Sequence, residues 1–254
     1  MARLDLPSPP WIVGHRGAAG EELENTLESV LLAVDQGADM VEIDVQFTAD
    51  HGLAVFHDWT LDRLTGRSET VEKTRLGKLC QIPLKAPGGN RRQIPDLNDL
   101  LAKTPETVTL NLELKRRDAD RRLFASSLLN SIRGRRRFLV SSFDWELLAV
   151  LKSLDPGLAL APLAKKNRTA LVRAGDRLGA VSLHAHRALA TAYLMRQARR
   201  SGRPVLAYTV NDVREARNLL DLGVSGFFTD SPGKLRRLLG LTPSQATQLE
   251  ETSK

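Results

Sequence analysis

The chain has 254 residues, 42% of them hydrophobic, with one cysteine, a formal net charge of +7 and a pI near 9.8. That is enough apolar material for a full core, at a length that suits either one α/β barrel of roughly 250 residues or two smaller domains. The single thiol, Cys80, excludes an internal disulfide framework and fits a reducing compartment. The opening Met-Ala-Arg-Leu-Asp-Leu-Pro-Ser-Pro-Pro lacks the apolar centre of a signal peptide, and no apolar run reaches the ~20 residues of a membrane span, so a cytoplasmic protein without a transmembrane segment is expected.

In chain order, Trp11-Ile-Val-Gly14 is a short apolar strand that runs into His15-Arg16-Gly17. A helix follows, because Leu27, Val30, Leu31 and Val34 recur at helical spacing, and Gly37 ends it. The next strand, Met40-Val-Glu-Ile-Asp-Val-Gln-Phe47, carries two acids. Side chains two apart on a strand share a face, so Glu42 and Asp44 point together while Val41, Ile43 and Val45 face the other way. Two neighbouring carboxylates out of water raise each other's pKa unless a cation lies between them, and hard divalent ions such as Mg²⁺ or Ca²⁺ prefer oxygen ligands. A solvated edge strand would also carry an isolated Glu-x-Asp pair.

After a turn at Thr48 to Gly52, Leu53-Ala-Val-Phe56 reads as a hairpin return that brings His57 and Asp58 back towards Glu42. Residues from about Trp59 to Asp99 break the rhythm with prolines, glycines and short apolar patches, and read as an insertion over one mouth of the main fold. A helix from about Leu97 to Ala102 leads into a regular alternation of strands and helices. Units beginning at Trp11, Met40, Thr107, Phe138, Leu158, Ala180, Val205 and Gly226 make eight, which predicts an α/β fold: a (β/α)₈ TIM-type barrel with a small insertion after its second strand, in a single domain over 1–254. The competing doubly wound sheet lacks a glycine-rich nucleotide loop after the first strand. The polar tail from Thr242 is expected to fray.

Polar residues gather where such strands end: His15 and Arg16, Glu42 and Asp44, Glu113 and Lys115, Ser141 and Ser142, His184 following the sixth strand, Tyr208 and Asn211, Thr229 and Asp230. Barrel active sites are built at those ends. Glu113 and Lys115 repeat the i, i+2 geometry and offer a third carboxylate with a cation beside it, although an ordinary salt bridge has the same spacing. Histidine as a residue type has a pKa close enough to neutral to give and take protons, which suits His15 and His57 to proton transfer, and Arg16 and Lys115 suit a tetrahedral anion; a lone histidine is commonly structural. The arginine-rich runs at 133–137, 165–168 and 196–203 read as solvated helix faces, attractive to anions but specifying no nucleic acid.

Read together, His15-Arg-Gly17, Glu24-Asn-Thr26, Glu42-Ile-Asp44, Phe56-His-Asp58, Leu112-Glu-Leu-Lys115, Tyr208-Thr-Val-Asn211 and Phe228-Thr-Asp230 resemble the glycerophosphodiester phosphodiesterases, in order and spacing, from residue 12 to about 235. The resemblance implies a metal-dependent phosphodiesterase that releases glycerol 3-phosphate and an alcohol from a small glycerophosphodiester. It implies Glu42, Asp44 and Glu113 as ligands of a divalent metal ion (Mg²⁺ or Ca²⁺), His15 and His57 as acid and base, Arg16 and Lys115 as phosphate contacts, and the insertion as the family's small extra subdomain. Leu23 stands where the family usually has Pro, and Tyr208 where it usually has Trp, beside the alcohol pocket. The alternatives are a lysophospholipase D-type lipid phosphodiesterase and a non-catalytic barrel binding phosphorylated ligands.

Overall fold

The apolar runs become strands that close on themselves. The computed structural model of the protein describes residues 6–135 and 137–242. The chain forms β1 (Trp11–Gly14), α1 (Leu27–Asp35), β2 (Met40–Phe47), the return strand β3 (Leu53–Val55), two single-turn helices α2 (Asp62–Thr65) and α3 (Leu76–Leu79), the hairpin β4 (Pro83–Lys85) and β5 (Arg91–Gln93), and α4 (Leu97–Lys103). Strand and helix then alternate through β6 (Leu110–Lys115), α5 (Arg121–Ser131), β7 (Phe138–Ser142), α6 (Trp145–Leu154), β8 (Leu160–Ala164), α7 (Arg168–Leu178), β9 (Leu183–His186), α8 (Ala192–Arg200), β10 (Val205–Tyr208), α9 (Val213–Leu222), β11 (Gly226–Thr229) and α10 (Pro232–Leu239). The parallel order β1-β11-β10-β9-β8-β7-β6-β2 is closed by β1 pairing with β2, Val13 opposite Met40 and Gly14 opposite Val41. This is the expected (β/α)₈ barrel. β3 lies antiparallel on β2, as the hairpin reading requires, with Val45 opposite Val55.

Each barrel strand buries both faces, which explains why most read as continuous apolar runs. The outward residues of β2 and β6, Val41, Ile43, Val45, Leu110, Leu112 and Leu114, pack with helix residues such as Val30, Ala33, Phe124 and Leu128. Inside, Val13, Met40, Leu139, Ala161, Leu206 and Phe228 fill the barrel below the site. Helices begin on side-chain caps: Thr26, Asp120 and Asp212 each accept a backbone N–H of the first turn, removing an otherwise unsatisfied donor.

The segment after β3 has its own core, in which Leu61, Val71, Leu79, Ile82, Leu84 and Ile94 pack on Phe56 and Leu23. Glu72 accepts from the backbone N–H groups of Arg117, Asp118 and Ala119, tying this segment to the loop after β6 at the C-terminal mouth. The helix expected from about Leu97 is α4, whose Leu97, Leu100 and Leu101 join the barrel core. The sixth barrel strand also shifts, from the expected start at Ala180 to Leu183. Among the described residues no helix is long and apolar enough to cross a membrane. The tail expected to fray lies outside the described residues beyond Thr242.

Candidate active site

Strand period alone sends Glu42 and Asp44 inward, and both are 1% exposed. The β2–β6 register sets Asp44 opposite Glu113, so that Glu42, Asp44 and Glu113 each offer an oxygen within 4.8 Å of the others, the one such acidic group among the described residues. Two cations face the three acids. Arg16 Nε lies 3.2 Å from Asp44, and Lys115 Nζ lies 3.6 Å from both Asp44 and Glu113. Asn25 donates to Asp44 Oδ2 at 2.9 Å and accepts its backbone N–H at 2.9 Å.

Burial works against ionising Asp44, but Lys115 and Arg16 hold its pKa below the ordinary value. The other two lack that protection. Burial, then the charges of Asp44 and Glu113, push Glu42 well up, and burial followed by Asp44 raises Glu113 to about 7. Glu42 Oε1 is buried with no hydrogen-bond partner. Three carboxylates against two cations, with one oxygen orphaned and all donors oxygen, fit a hard divalent cation.

Arg16 is held through its backbone. It adopts φ +55°, a left-handed conformation that costs an L-residue about 1–2 kcal/mol, and Gly17 follows at φ +86°. A Cβ on Gly17 would lie 2.3 Å from Ser29 Oγ, so no other residue fits there. Arg16 N–H donates to Glu42 Oε2 at 2.8 Å, and its carbonyl accepts from Ser29 Oγ and Asn25 N–H at 3.0 Å each. These bonds aim the guanidinium at Asp44 and at Glu24, 3.0 Å away. Glu24 in turn takes both Arg63 Nη groups at 2.9 and 2.6 Å, and Arg63 Nε donates to Asp58 at 2.5 Å.

Both histidines are anchored by one nitrogen. His57 Nδ1 is 2.6 Å from Asp58 Oδ1, and His15 Nδ1 is 2.7 Å from Asp230 Oδ1, whose other oxygen accepts from Asn211 at 2.5 Å. A carboxylate accepts, so Nδ1 carries the proton in each ring and Nε2 is left to exchange one. Burial lowers the pKa of His57, only partly offset by the nearby charge of Asp44.

Tyr208, at the end of β10, is buried with its hydroxyl lacking a hydrogen-bond partner, and burial together with the charge of Glu113 pushes its pKa up. The expectation for His184 is overturned: it lies within β9 rather than after it, fully buried in the barrel, with Nε2 3.1 Å from Ser182 Oγ. Burial drags its pKa down to about 3, so it is a neutral interior group. Ser142 donates to the Leu114 carbonyl and accepts from Asp144 N–H, which makes it a loop support.

Residues 15–234 match the glycerophosphoryl diester phosphodiesterase family. The chain belongs to that family. Among its relatives is a glycerophosphodiester phosphodiesterase of Bacillus subtilis (strain 168), 30% identical over 254 residues covering 90% of this chain and 86% of the relative. The structure of an Oleispira antarctica phosphodiesterase in complex with the product sn-glycerol-3-phosphate superposes with a TM-score of 0.82 at 28% identity, covering 92% of this chain and 97% of that one. A lysophospholipase D of Rattus norvegicus is 36% identical over 115 residues, 41% of this chain and 35% of the relative.

Within this family member, the eight site residues inferred from sequence all sit at the C-terminal mouth or on the strands leading to it. Sequence reasoning gave no role to Asn25, Glu24, Arg63, Asp58 or Asp230, which hold the others in place. Asn25 carried a signal, since Asn is one of the few residues that accept its left-handed φ of +59°. Asn25→Ala is expected to lower stability by about 2–4 kcal/mol, because the Asp44 N–H and carboxylate both lose a buried partner. Thermal unfolding of the metal-free protein measures this; an unchanged Tm would show that the pair contributes nothing.

Proposed function

We propose that the protein hydrolyses glycerophosphodiesters to glycerol 3-phosphate and an alcohol in a metal-dependent reaction, with His15 and His57 as its acid and base, in one barrel domain over 1–254 whose insertion bounds the substrate. The observation that carries this reading is the pair of histidines, each held at Nδ1 by a carboxylate, beside an acidic triplet with more negative charge than its two cations balance. The Oleispira antarctica relative, bound to sn-glycerol-3-phosphate, supports the product.

Glu42, Asp44 and Glu113 would hold a divalent ion, Mg²⁺ or Ca²⁺, which when bound supplies Lewis-acid neutralisation of the phosphodiester. Arg16 and Lys115 bind the phosphate oxygens, and Tyr208 borders the substrate. One histidine takes the proton of the attacking hydroxyl as the new O–P bond forms; the hydroxyl is that of water, or that of the substrate's own glycerol, in which case a cyclic phosphate forms and water opens it in a second step to give glycerol 3-phosphate. The other delivers a proton to the departing alcohol oxygen as its P–O bond breaks. The Asp58 and Asp230 carboxylates keep both rings oriented through the step.

Glycerol 3-phosphate release from a panel of glycerophosphodiesters should cease after chelation and return with Mg²⁺, Ca²⁺ or Mn²⁺. Full activity in the chelated protein would end the metal assignment, and no release from any diester with any of the three ions would end the reading as a whole.

A further inference from the structure

A quaternary ammonium alcohol is bound in proteins by open aromatic faces, because the ring quadrupole attracts the cation. The mouth of this barrel has three aromatic groups in reach of the site, and each already has a lysine over a face or other rings against it, although Trp59 and Phe143 keep part of their surface exposed. Trp59 has Lys115 Nζ 5.8 Å from its ring centroid, and Phe143 has Lys165 Nζ 5.4 Å from its own. Tyr208 is hemmed by edge-on contacts with Phe143, His186 and Phe228 at 6.1, 5.8 and 6.3 Å.

The charge of this rim points the same way. Lys165 and Lys166, directly after β8, are exposed and have no acidic partner among the described residues. Of the acids nearby, Asp144 pairs with Arg116 and Arg121, Glu215 in the first turn of α9 pairs with Arg187, and Asp212 accepts backbone N–H groups as the cap of α9. An incoming cation therefore meets ammonium groups on the faces it needs, and an incoming anion meets unbalanced positive charge.

We infer, building on the phosphodiesterase reading above, that the enzyme selects its leaving alcohol by charge. Anionic headgroups are favoured, neutral polyols follow, and quaternary ammonium headgroups are disfavoured, with Lys165 setting the order.

The test uses the whole chain with three diesters that differ in headgroup charge: glycerophosphocholine, glycerophosphoglycerol, and bis(glycerophospho)glycerol. At low ionic strength kcat/KM is expected to rise across them by about 10-fold or more, and the span should shrink in 0.5 M salt as the rim charges are screened. Lys165→Glu should cut the span at least about 3-fold, and Lys165→Arg should keep it. Binding of the same three compounds to the chelated protein, by titration calorimetry, reads the order without turnover. Equal or better use of the choline diester, equal binding of all three, or a span untouched by Lys165→Glu would overturn the inference. Graded binding with no cleavage of any diester would instead remove the hydrolase reading and leave the charge order standing.

Discussion

His15→Ala and His57→Ala are each expected to lower kcat by about 10²- to 10⁴-fold, the usual loss on removing a general acid or base. The fold should survive in both, because the two rings are 19% and 30% exposed at the side chain and fill no part of the core. The variants should part company when the leaving group changes. An aryl alcohol of low pKa departs without a proton, so it rescues the variant that has lost the acid and leaves the one that has lost the base defective. Arg16→Ala should behave differently, weakening substrate affinity and turnover together, since its charge acts on the ground state and transition state alike. Steady-state kinetics with alkyl and aryl diesters, beside circular dichroism, settle the matter. Equal defects with every leaving group would remove the division of labour between His15 and His57.

What the sequence revealed of this site is what local geometry fixes. The period of a strand determines that Glu42 and Asp44 share a face, and a hairpin return brings His57 back along β2, expected towards Glu42 and found within the influence of Asp44. Asp230 could not be assigned to His15 in this way. The pair is 215 residues apart and meets only because β11 closes the ring beside β1. The same holds for Arg63, whose link between Glu24 and Asp58 depends on how the insertion docks on the mouth. His184 was misplaced for another reason. Ala180-Val-Ser-Leu183 is the more apolar run, yet the strand is Leu-His-Ala-His, in which Leu183 and Ala185 face the helices. The interior of a barrel accepts a polar ring that finds a partner, here Ser182, so apolar-histidine alternation was the true strand signal.

Binding of Mg²⁺ or Ca²⁺ to the acidic triplet is expected to strengthen by at least about 10²-fold between pH 5 and pH 8, because a carboxyl with a pKa near 7 must lose its proton to become a ligand. The sign follows from Glu113, raised to about 7 in the metal-free fold, and from Glu42, raised in the same direction. A carboxyl whose folded pKa exceeds its unfolded value of about 4.5 favours the folded state most below pH 4.5. That contribution declines as pH rises towards 7, by at most about 3 kcal/mol for Glu113. Asp44 runs the other way, since its lowered pKa gives stability above its unfolded value that is lost only in acid. The metal-free protein should therefore lose stability relative to Glu113→Gln between pH 4.5 and 7, while added metal raises the wild-type Tm little at pH 5 and substantially at pH 8. Calorimetric titration in buffers of different ionisation enthalpy should count about one proton released from Glu113 per ion near pH 6, with Glu113→Gln releasing about one fewer. A metal-induced rise in Tm of equal size at pH 5 and pH 8 would show that these carboxyls are already ionised without the ion, and that Lys115 and Arg16 suffice to balance them.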